Sequence, residues 1–404
     1  MKKAIYAGSF DPFHYGHQNL VERASRLFDE VIVVRAVNPA KKYALTDEQA
    51  MALIRRSLSH VFNVKVMSLP GHYLAVDQAN ELDAQAIIKG VRTTQDVEYE
   101  RMLHEISVSQ SLGVETVVLF AEPKFHKVSS TAVKELIKFH GDVKEYCPLW
   151  VKQQLEVNAN KYIYGITGGI GSGKSWLTRQ LCTGTQYAIR DCGVDAAYPK
   201  LPYYNVDLDV IAKETLYPEK PNDEIQYLQN EISRILDVAV RNADGSYNIS
   251  AIGKKFFGKD NDDLRAEVNK AVRPVILRAI RHNLASKGAG LYFLNGALLI
   301  DGEFTSLCNN NVLMVVTPMD RIKARLAQRY QGKLTVDEID IRIKSQLGED
   351  DKFRAMESFI KRDGHGTVDV FLNTEDNTFD NDARDRMITR VIHPVVGFRT
   401  VYGG

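Results

Sequence analysis

Two α/β domains in series, each built on a parallel sheet, are what the sequence predicts. Three observations carry the prediction. Short apolar runs alternate with amphipathic stretches through the first 150 residues or so. The first run is followed by His14-Tyr15-Gly16-His17. Near the middle, Tyr162 to Ser175 follows the pattern strand, GxxxxGK[ST], helix. Boundaries at 1–157 and 162–395 accommodate both halves.

In the first half, Ala4–Ala7, Glu30–Val37, Val64–Leu69, Ala86–Ile88 and Glu115–Phe120 read as short buried strands. Between and after them lie the helical stretches His17–Phe28, Asp47–Ser59, Leu74–Leu82, Val97–Ser111 and Ser130–Phe139. Strands alternating with helices of this length predict βαβ units and a parallel sheet. Ligands of such sheets bind at the carboxyl ends of the strands. His14 and His17 follow the first strand at a helix entry, where free N–H groups attract phosphate. Two imidazoles there suit an α-phosphate on which charge develops, and Gly16 lets the phosphate approach. Lys89-Gly90-Val91-Arg92 follows the fourth strand, where basic groups can clamp phosphates. Ser129 and Ser130 follow the fifth and can cap a helix or donate to a triphosphate. Cys147–Trp150 closes this half, and Val151–Lys161 reads as a helix tail plus a short linker.

The second half is organised by its glycine loop. Gly168, Gly171 and Gly173 let backbone N–H groups wrap phosphate oxygens without Cβ clashes. With Ser172 they form the cradle; Lys174 reaches the β/γ-phosphates and the Ser175 hydroxyl ligates Mg²⁺. Residues 183–204 read as an irregular insertion. Asp207 and Asp209 follow, read as two carboxylates on one side of a strand end. Asp207 is the candidate base for a hydroxyl proton, and Asp209 orients it or holds magnesium. Ala297–Asp301 and Val312–Thr317 read as further core strands. The charged stretch 320–361 reads as helical, with Arg325, Arg329, Arg342 and Lys344 as candidates for a lid over the phosphates.

Composition narrows the class. The 404 residues are 44% hydrophobic and 25% charged, with 52 basic and 51 acidic residues, an ordinary globular balance. Neither half is basic enough to suggest nucleic acid. No apolar run approaches the length of a membrane span, and the N-terminus shows no signal-like segment. The four cysteines lack a CxxC spacing and read as thiols of a reducing cytoplasm.

Taken together, Gly8–His17, Asn38–Lys42, Lys89–Arg92, Asp96–Glu100, Ser129–Glu135 and Gly141–Val143 resemble the bacterial phosphopantetheine adenylyltransferase family over nearly all of residues 1–150. The resemblance implies a Rossmann-like nucleotidyltransferase domain. It implies that Ser9, Phe10, His14, His17, Gly90, Val91, Arg92, Glu100, Val128, Ser129, Ser130 and Thr131 form the ATP site. His17 would stabilise the pentavalent α-phosphorus. Ser9, Lys41, Leu74, Ala75 and Lys89 would hold 4′-phosphopantetheine, with Lys41 also catalytic. Lys89 stands where the family usually has Arg, which keeps the charge and loses the bidentate fork. Residues 162 to about 390 resemble dephospho-coenzyme A kinase through Ile166–Ser175, Asp207–Ala212, Ala297–Asp301, Arg325–Arg329 and Arg342–Gln346. That implies a P-loop kinase domain with a helical lid, ATP held by the glycine loop, Arg325 and Arg329, and catalysis by Lys174 and Asp207 with Mg²⁺ on Ser175 and Asp209.

The joint reading is a fused enzyme making dephospho-CoA and then CoA, with ATP as co-substrate of both steps. Two alternatives stand beside it: a nicotinamide-nucleotide adenylyltransferase fused to a ribosylnicotinamide-type kinase, and an active transferase whose second half only binds nucleotide. Association of the chain through its first domain is left open.

Overall fold

The structure is a computed structural model describing residues 1–404 except 39, 71–73, 183–201, 257–260, 332–334, 345–347, 375–380, 393–394 and 396–404. The bulk of the expected 183–204 insertion therefore lies outside the described residues, as does Gln346. The chain divides into two compact units, Met1–Asn158 and Ala159–Gly404.

The first unit runs β1 (Lys3–Gly8), α1 (Tyr15–Ala24), β2 (Glu30–Val37), α2 (Asp47–Ser57), β3 (Val64–Pro70), α3 (Ala75–Glu81), β4 (Ala86–Val91), α4 (Thr94–Ser109), β5 (Glu115–Phe120), α5 (Ser130–Lys138) and α6 (Leu149–Asn158). Its sheet has the order β3-β2-β1-β4-β5, and every pairing is parallel. Strand side chains alternate between faces, and this sheet is covered on both. Ala4 and Tyr6 of β1, with Val31, Val33 and Ile88, pack against Val21 and Ala24 of α1 and Ile54 of α2. Ile5, Ile32, Val34 and Ile87 pack on the other side against Val76 and Ala79 of α3.

Residues 151–161 follow the sequence reading: α6 runs to Asn158, and a two-residue link leads into β6. Val151 and Leu155 of α6 join the core with Val133, Ile137 and Cys147. The stretch looks polar because Lys152 and Glu156 form a buried ion pair one turn apart at 2.7 Å.

The second unit runs β6 (Lys161–Gly168), α7 (Lys174–Cys182), β7 (Tyr203–Asp207), α8 (Leu208–Leu216), α9 (Asp223–Leu236), α10 (Ile249–Phe256), α11 (Asp262–Ala285), β8 (Gly290–Asn295), α12 (Leu298–Asp301), β9 (Asn311–Val316), α13 (Met319–Arg329), α14 (Val336–Lys344), α15 (Glu349–Asp363), β10 (Thr367–Leu372) and α16 (Asn381–Met387). The sheet order is β10-β9-β6-β8-β7, again wholly parallel. Helices α8, α9 and α11 build the largest core against it, through residues such as Ile211, Ile232 and Ile276.

Two sequence expectations fail here. Ala297–Asp301 is not a strand. The strand is the preceding Gly290–Asn295, fully buried, and Leu298–Asp301 is a single helical turn. Short apolar runs carry too little periodicity to separate the two states. Gly296 marks the break: a Cβ there would stand 2.8 Å from the Leu208 Cβ. Nor do Asp207 and Asp209 share a strand. Asp207 ends β7 and caps α8, and Asp209 lies in that helix's first turn.

Candidate active sites

In the first unit the strand order reverses between β1 and β4, which places a crevice outside their carboxyl ends. The turn after β1 fills one wall of it. Phe10 adopts a positive φ of 44° and lays its ring against Gly8, where an added Cβ would sit 2.9 Å from the ring. Arg35, fully buried on β2, fixes this turn: its guanidinium donates to the Ser9 carbonyl and, at 2.8 Å, to Asp47. Asp11 accepts from the Ala44 and Leu45 N–H groups and from Lys134 at 3.2 Å. Arg35 escaped the sequence reading. Its only signal is a cation inside an apolar β-run.

The turn delivers His14 to the N-cap of α1. Its Nδ1 accepts from the His17 N–H at 3.3 Å, and the two rings stack with centroids 3.5 Å apart. Burial, then the charge of Arg92, lowers the His14 pKa to about 3. Burial also holds His17 well below its ordinary value, helped by His14 and Arg92. Burial therefore favours the neutral form of both imidazoles. The buried Nδ1 of His17 has no partner among the described residues.

Around the pair lies a cavity of about 290 Å³ lined by His14, His17, Gly90, Val91, Arg92, Glu100, Val128, Ser129 and Ser130, with Tyr6, Asp96, Tyr99 and Phe125. Nine residues proposed from sequence for ATP thus meet in one space. Ser9, Phe10, Lys41, Leu74, Ala75, Lys89 and Thr131 are outside that lining. Lys41 is exposed in the loop after β2, and Leu74 is exposed just before α3. Lys89 is paired at 2.8 Å with Glu100, both largely shielded. Ser129 caps α5 by accepting from the Ala132 N–H, and the Ser130 hydroxyl donates to the Pro12 carbonyl. Arg92 donates to the Val128 carbonyl at 2.9 Å, joining the end of β4 to the segment before α5. At Gly90 a Cβ would stand 2.2 Å from the Leu20 Cδ1 of α1, so any larger residue there forces that side chain to move.

In the second unit the loop follows β6, which lies between β8 and β9. Gly168, Gly171 and Gly173 have φ of 153°, 76° and 95°, as a phosphate cradle needs. Thr317 and Asn373, at the ends of β9 and β10, both donate to the Ser172 carbonyl at 2.8 Å. Arg325 of α13 donates to the Gly171 carbonyl at 3.4 Å, whereas Arg329 is exposed. Ile322 and Leu326 of α13 cluster with Ile339 of α14 and with Ile170 of the loop, so these two helices cover it.

Lys174 is buried and rests on the Gly168 and Gly169 carbonyls at 3.2 and 2.8 Å. Burial pulls its pKa down to about 8, opposed chiefly by Asp209. Asp209 is exposed, and the protein atoms around it raise its carboxyl pKa, against the pull of Lys174 and of the Ala297 N–H. Asp207 has a different engagement: one carboxylate oxygen accepts from both the Asp209 and Val210 N–H groups at 3.1 Å. Lys352 of α15, fully buried, donates to the Ala297 carbonyl at 3.3 Å and pairs with Asp301 at 3.4 Å. Asn295, Lys352 and Asn373 were missed in the sequence. Single polar residues at strand ends or in charged helices carry no local pattern.

These two strand-end clefts, one with a stacked histidine pair and one with a glycine loop, define a pair of nucleotide-handling transferases in one chain. Comparison with known proteins gives the particular families. Residues 162–367 match the family model described as dephospho-CoA kinase, and residues 5–136 match the cytidylyltransferase-like model. A phosphopantetheine adenylyltransferase of Lacticaseibacillus paracasei is 40% identical over 154 residues, 38% of this chain and 92% of its own. That of Bacteroides thetaiotaomicron is 37% identical over 158 residues, 39% of this chain and 100% of its own. The chain belongs to the phosphopantetheine adenylyltransferase family through its first half and to the dephospho-CoA kinase family through its second.

Among the described residues, no helix is long and apolar enough to cross a membrane.

Proposed function

We propose that the chain performs the last two steps of coenzyme A synthesis. The first half transfers AMP from ATP to 4′-phosphopantetheine, releasing pyrophosphate and forming dephospho-CoA. The second phosphorylates the ribose 3′-hydroxyl of that product with a second ATP. The observation that carries this reading is the pairing of the two families in one chain. The nicotinamide alternative is not favoured, because the relatives at 37–40% identity are phosphopantetheine enzymes. A merely binding second half is not favoured either, since residues 162–367 match the dephospho-CoA kinase family model.

In the first site His17, neutral and preorganised at the α1 N-terminus, donates to the α-phosphate as charge builds on it. Arg92, Ser129, Ser130 and Thr131 receive the triphosphate, and Glu100 and Gly90 the adenosine. Ser9, Lys41 and Lys89 hold the substrate phosphate, and the Leu74-Ala75 backbone meets its arm. Lys89 then exchanges Glu100 for phosphate.

In the second site the glycine loop, Lys174, Arg325 and Arg329 hold ATP. The geometry favours Asp209 over Asp207 as the group that takes the ribose proton. Asp207 is engaged in capping α8, whereas Asp209 accepts no such cap bond and is coupled electrostatically to Lys174. The Ser175 hydroxyl and the unpartnered Asn295 carbonyl oxygen are hard oxygen donors that suit magnesium or its bound water. Bound there, magnesium would neutralise charge on the β- and γ-phosphates. The reading places the enzyme in the cytoplasm. Self-association of the first half belongs to it too: α4 buries none of its residues, and Met102, Ile106, Val108 and Phe120 are exposed.

Mass spectrometry of the products from ATP and 4′-phosphopantetheine tests the reading. Dephospho-CoA followed by CoA is expected. Nicotinamide mononucleotide turned over in preference to phosphopantetheine would overturn it.

A further inference from the structure

Phosphate-loop NTPases generally back the loop serine with a carboxylate, an aspartate at the end of a neighbouring strand, and the two share the magnesium ion. In this chain β6 lies between β9 and β8, and the Cα register of β8 sets Asn295 opposite both Ile166 of β6 and Asp207 of β7. Asn295 is therefore a strand-end residue next to the loop; on the other side Thr317, at the end of β9, is already bonded to the Ser172 carbonyl. It is 1% exposed. Its Nδ2 lies 3.5 Å from the Ser175 Oγ, and its Oδ1 is buried with no partner among the described residues.

A buried amide oxygen without a donor costs free energy and calls for a partner. The neighbours supply none. The Gly296 N–H is bonded to the Ile166 carbonyl at 3.1 Å, and Lys174 is turned to Gly168 and Gly169. A metal-bound water beside Ser175 is the partner that fits both the position and the chemistry.

We infer that Asn295 is the second magnesium-site group of the kinase half, a neutral amide where this class of site generally carries a carboxylate. The inference rests on the kinase reading above and adds a property to it. With one protein charge fewer, the empty site holds magnesium weakly, and the ion enters together with the nucleotide phosphates that supply the missing charge. Metal dependence then follows the nucleotide complex, not the free enzyme.

The test uses the full-length chain and Mn²⁺ as a paramagnetic probe, titrated without nucleotide. Asn295→Asp should bind Mn²⁺ about tenfold more tightly than wild type, since a unit charge is added at contact distance. Asn295→Ala should raise the Mg²⁺ concentration for half-maximal phosphorylation of dephospho-CoA about fivefold, at saturating ATP. Identical Mn²⁺ and Mg²⁺ titrations for folded wild type and both variants would overturn the inference and leave Asn295 a buried core amide. If the variants do not fold, wild type alone decides. Affinity for Mn²⁺ near or below about 1 μM in the second site without nucleotide, identified by its loss in Ser175→Ala, overturns the proposal. Weak binding strengthened by ATP supports it. Phosphorylation of dephospho-CoA by wild type at saturating Mg²⁺ is read separately, so failure of the kinase reading is distinct from failure of this one.

Discussion

Acid should weaken the first unit through His14, and the amount can be worked out. In the unfolded chain a histidine titrates near 6.5, whereas in the fold burial and Arg92 bring His14 to about 3. The folded pKa is depressed, so its contribution to stability is full above 6.5 and is lost as pH falls toward 3. Between those values the unfolded chain holds a proton that the fold excludes. Each pH unit then removes about 1.4 kcal/mol, or about 2 kcal/mol between pH 7 and pH 5. His14→Asn keeps an N-cap acceptor for the His17 N–H and removes the titration. Both proteins should carry Trp176→Phe, because the chain has two tryptophans and Trp150 then reports on the first unit alone. Guanidinium unfolding at the two pH values should show wild type losing about 2 kcal/mol more than His14→Asn. His17 is present in both, so its own shift largely cancels. Parallel losses would refute the claim that the fold keeps His14 neutral.

For the reactions themselves, His17→Ala should lower kcat of adenylyl transfer by about 10²–10³, with phosphorylation of dephospho-CoA unchanged; a loss under threefold would remove His17 from the chemistry. Because His17 is already neutral, kcat/KM for ATP in the first reaction should show no histidine inflection between pH 6 and 8, and a fall centred near 6.5 would contradict this. Lys174→Ala should make the full chain accumulate dephospho-CoA, detected by chromatography of the products, while CoA at the wild-type rate would show that the loop is idle. Asp209→Asn should cut the kinase kcat by about 10²–10⁴. Asp207→Asn keeps a good helix cap and should stay within about threefold; the reverse ranking would return the base role to Asp207.

The parts legible in sequence share one property: their chemistry is local. A glycine loop needs its glycines at fixed spacing, and His14 and His17 act across a single helical turn. Both were visible for that reason, as was the alternation of strands and helices. What was illegible depends on partners far along the chain. Asn295 matters because β8 lies beside β6, which no spacing reveals. Lys352 looks like one more charge in an acidic helix until its burial against Asp301, some fifty residues earlier, is seen. Asp207 and Asp209 were visible as a pair, but which of them caps a helix turns on where α8 begins. The apolar run 297–301 misled because hydrophobicity reports burial and not conformation. The burial of Lys152 with Glu156 was not legible, since a charge pair can be buried as a unit.

The resting position of Lys174 has a thermodynamic consequence. Its ammonium sits on two carbonyls of its own loop, so the protein supplies a stand-in for the phosphate oxygens. Nucleotide arrival is then an exchange of acceptors around a side chain that is already immobile. The rotamer entropy of that lysine, of the order of 2 kcal/mol for such a chain, is surrendered during folding and not during binding. The corollary is that two loop carbonyls are released when the ligand takes the ammonium. Calorimetry of nucleotide binding to Lys174→Met should therefore lose enthalpy, with little gain of the entropy that ordering a free lysine would have cost.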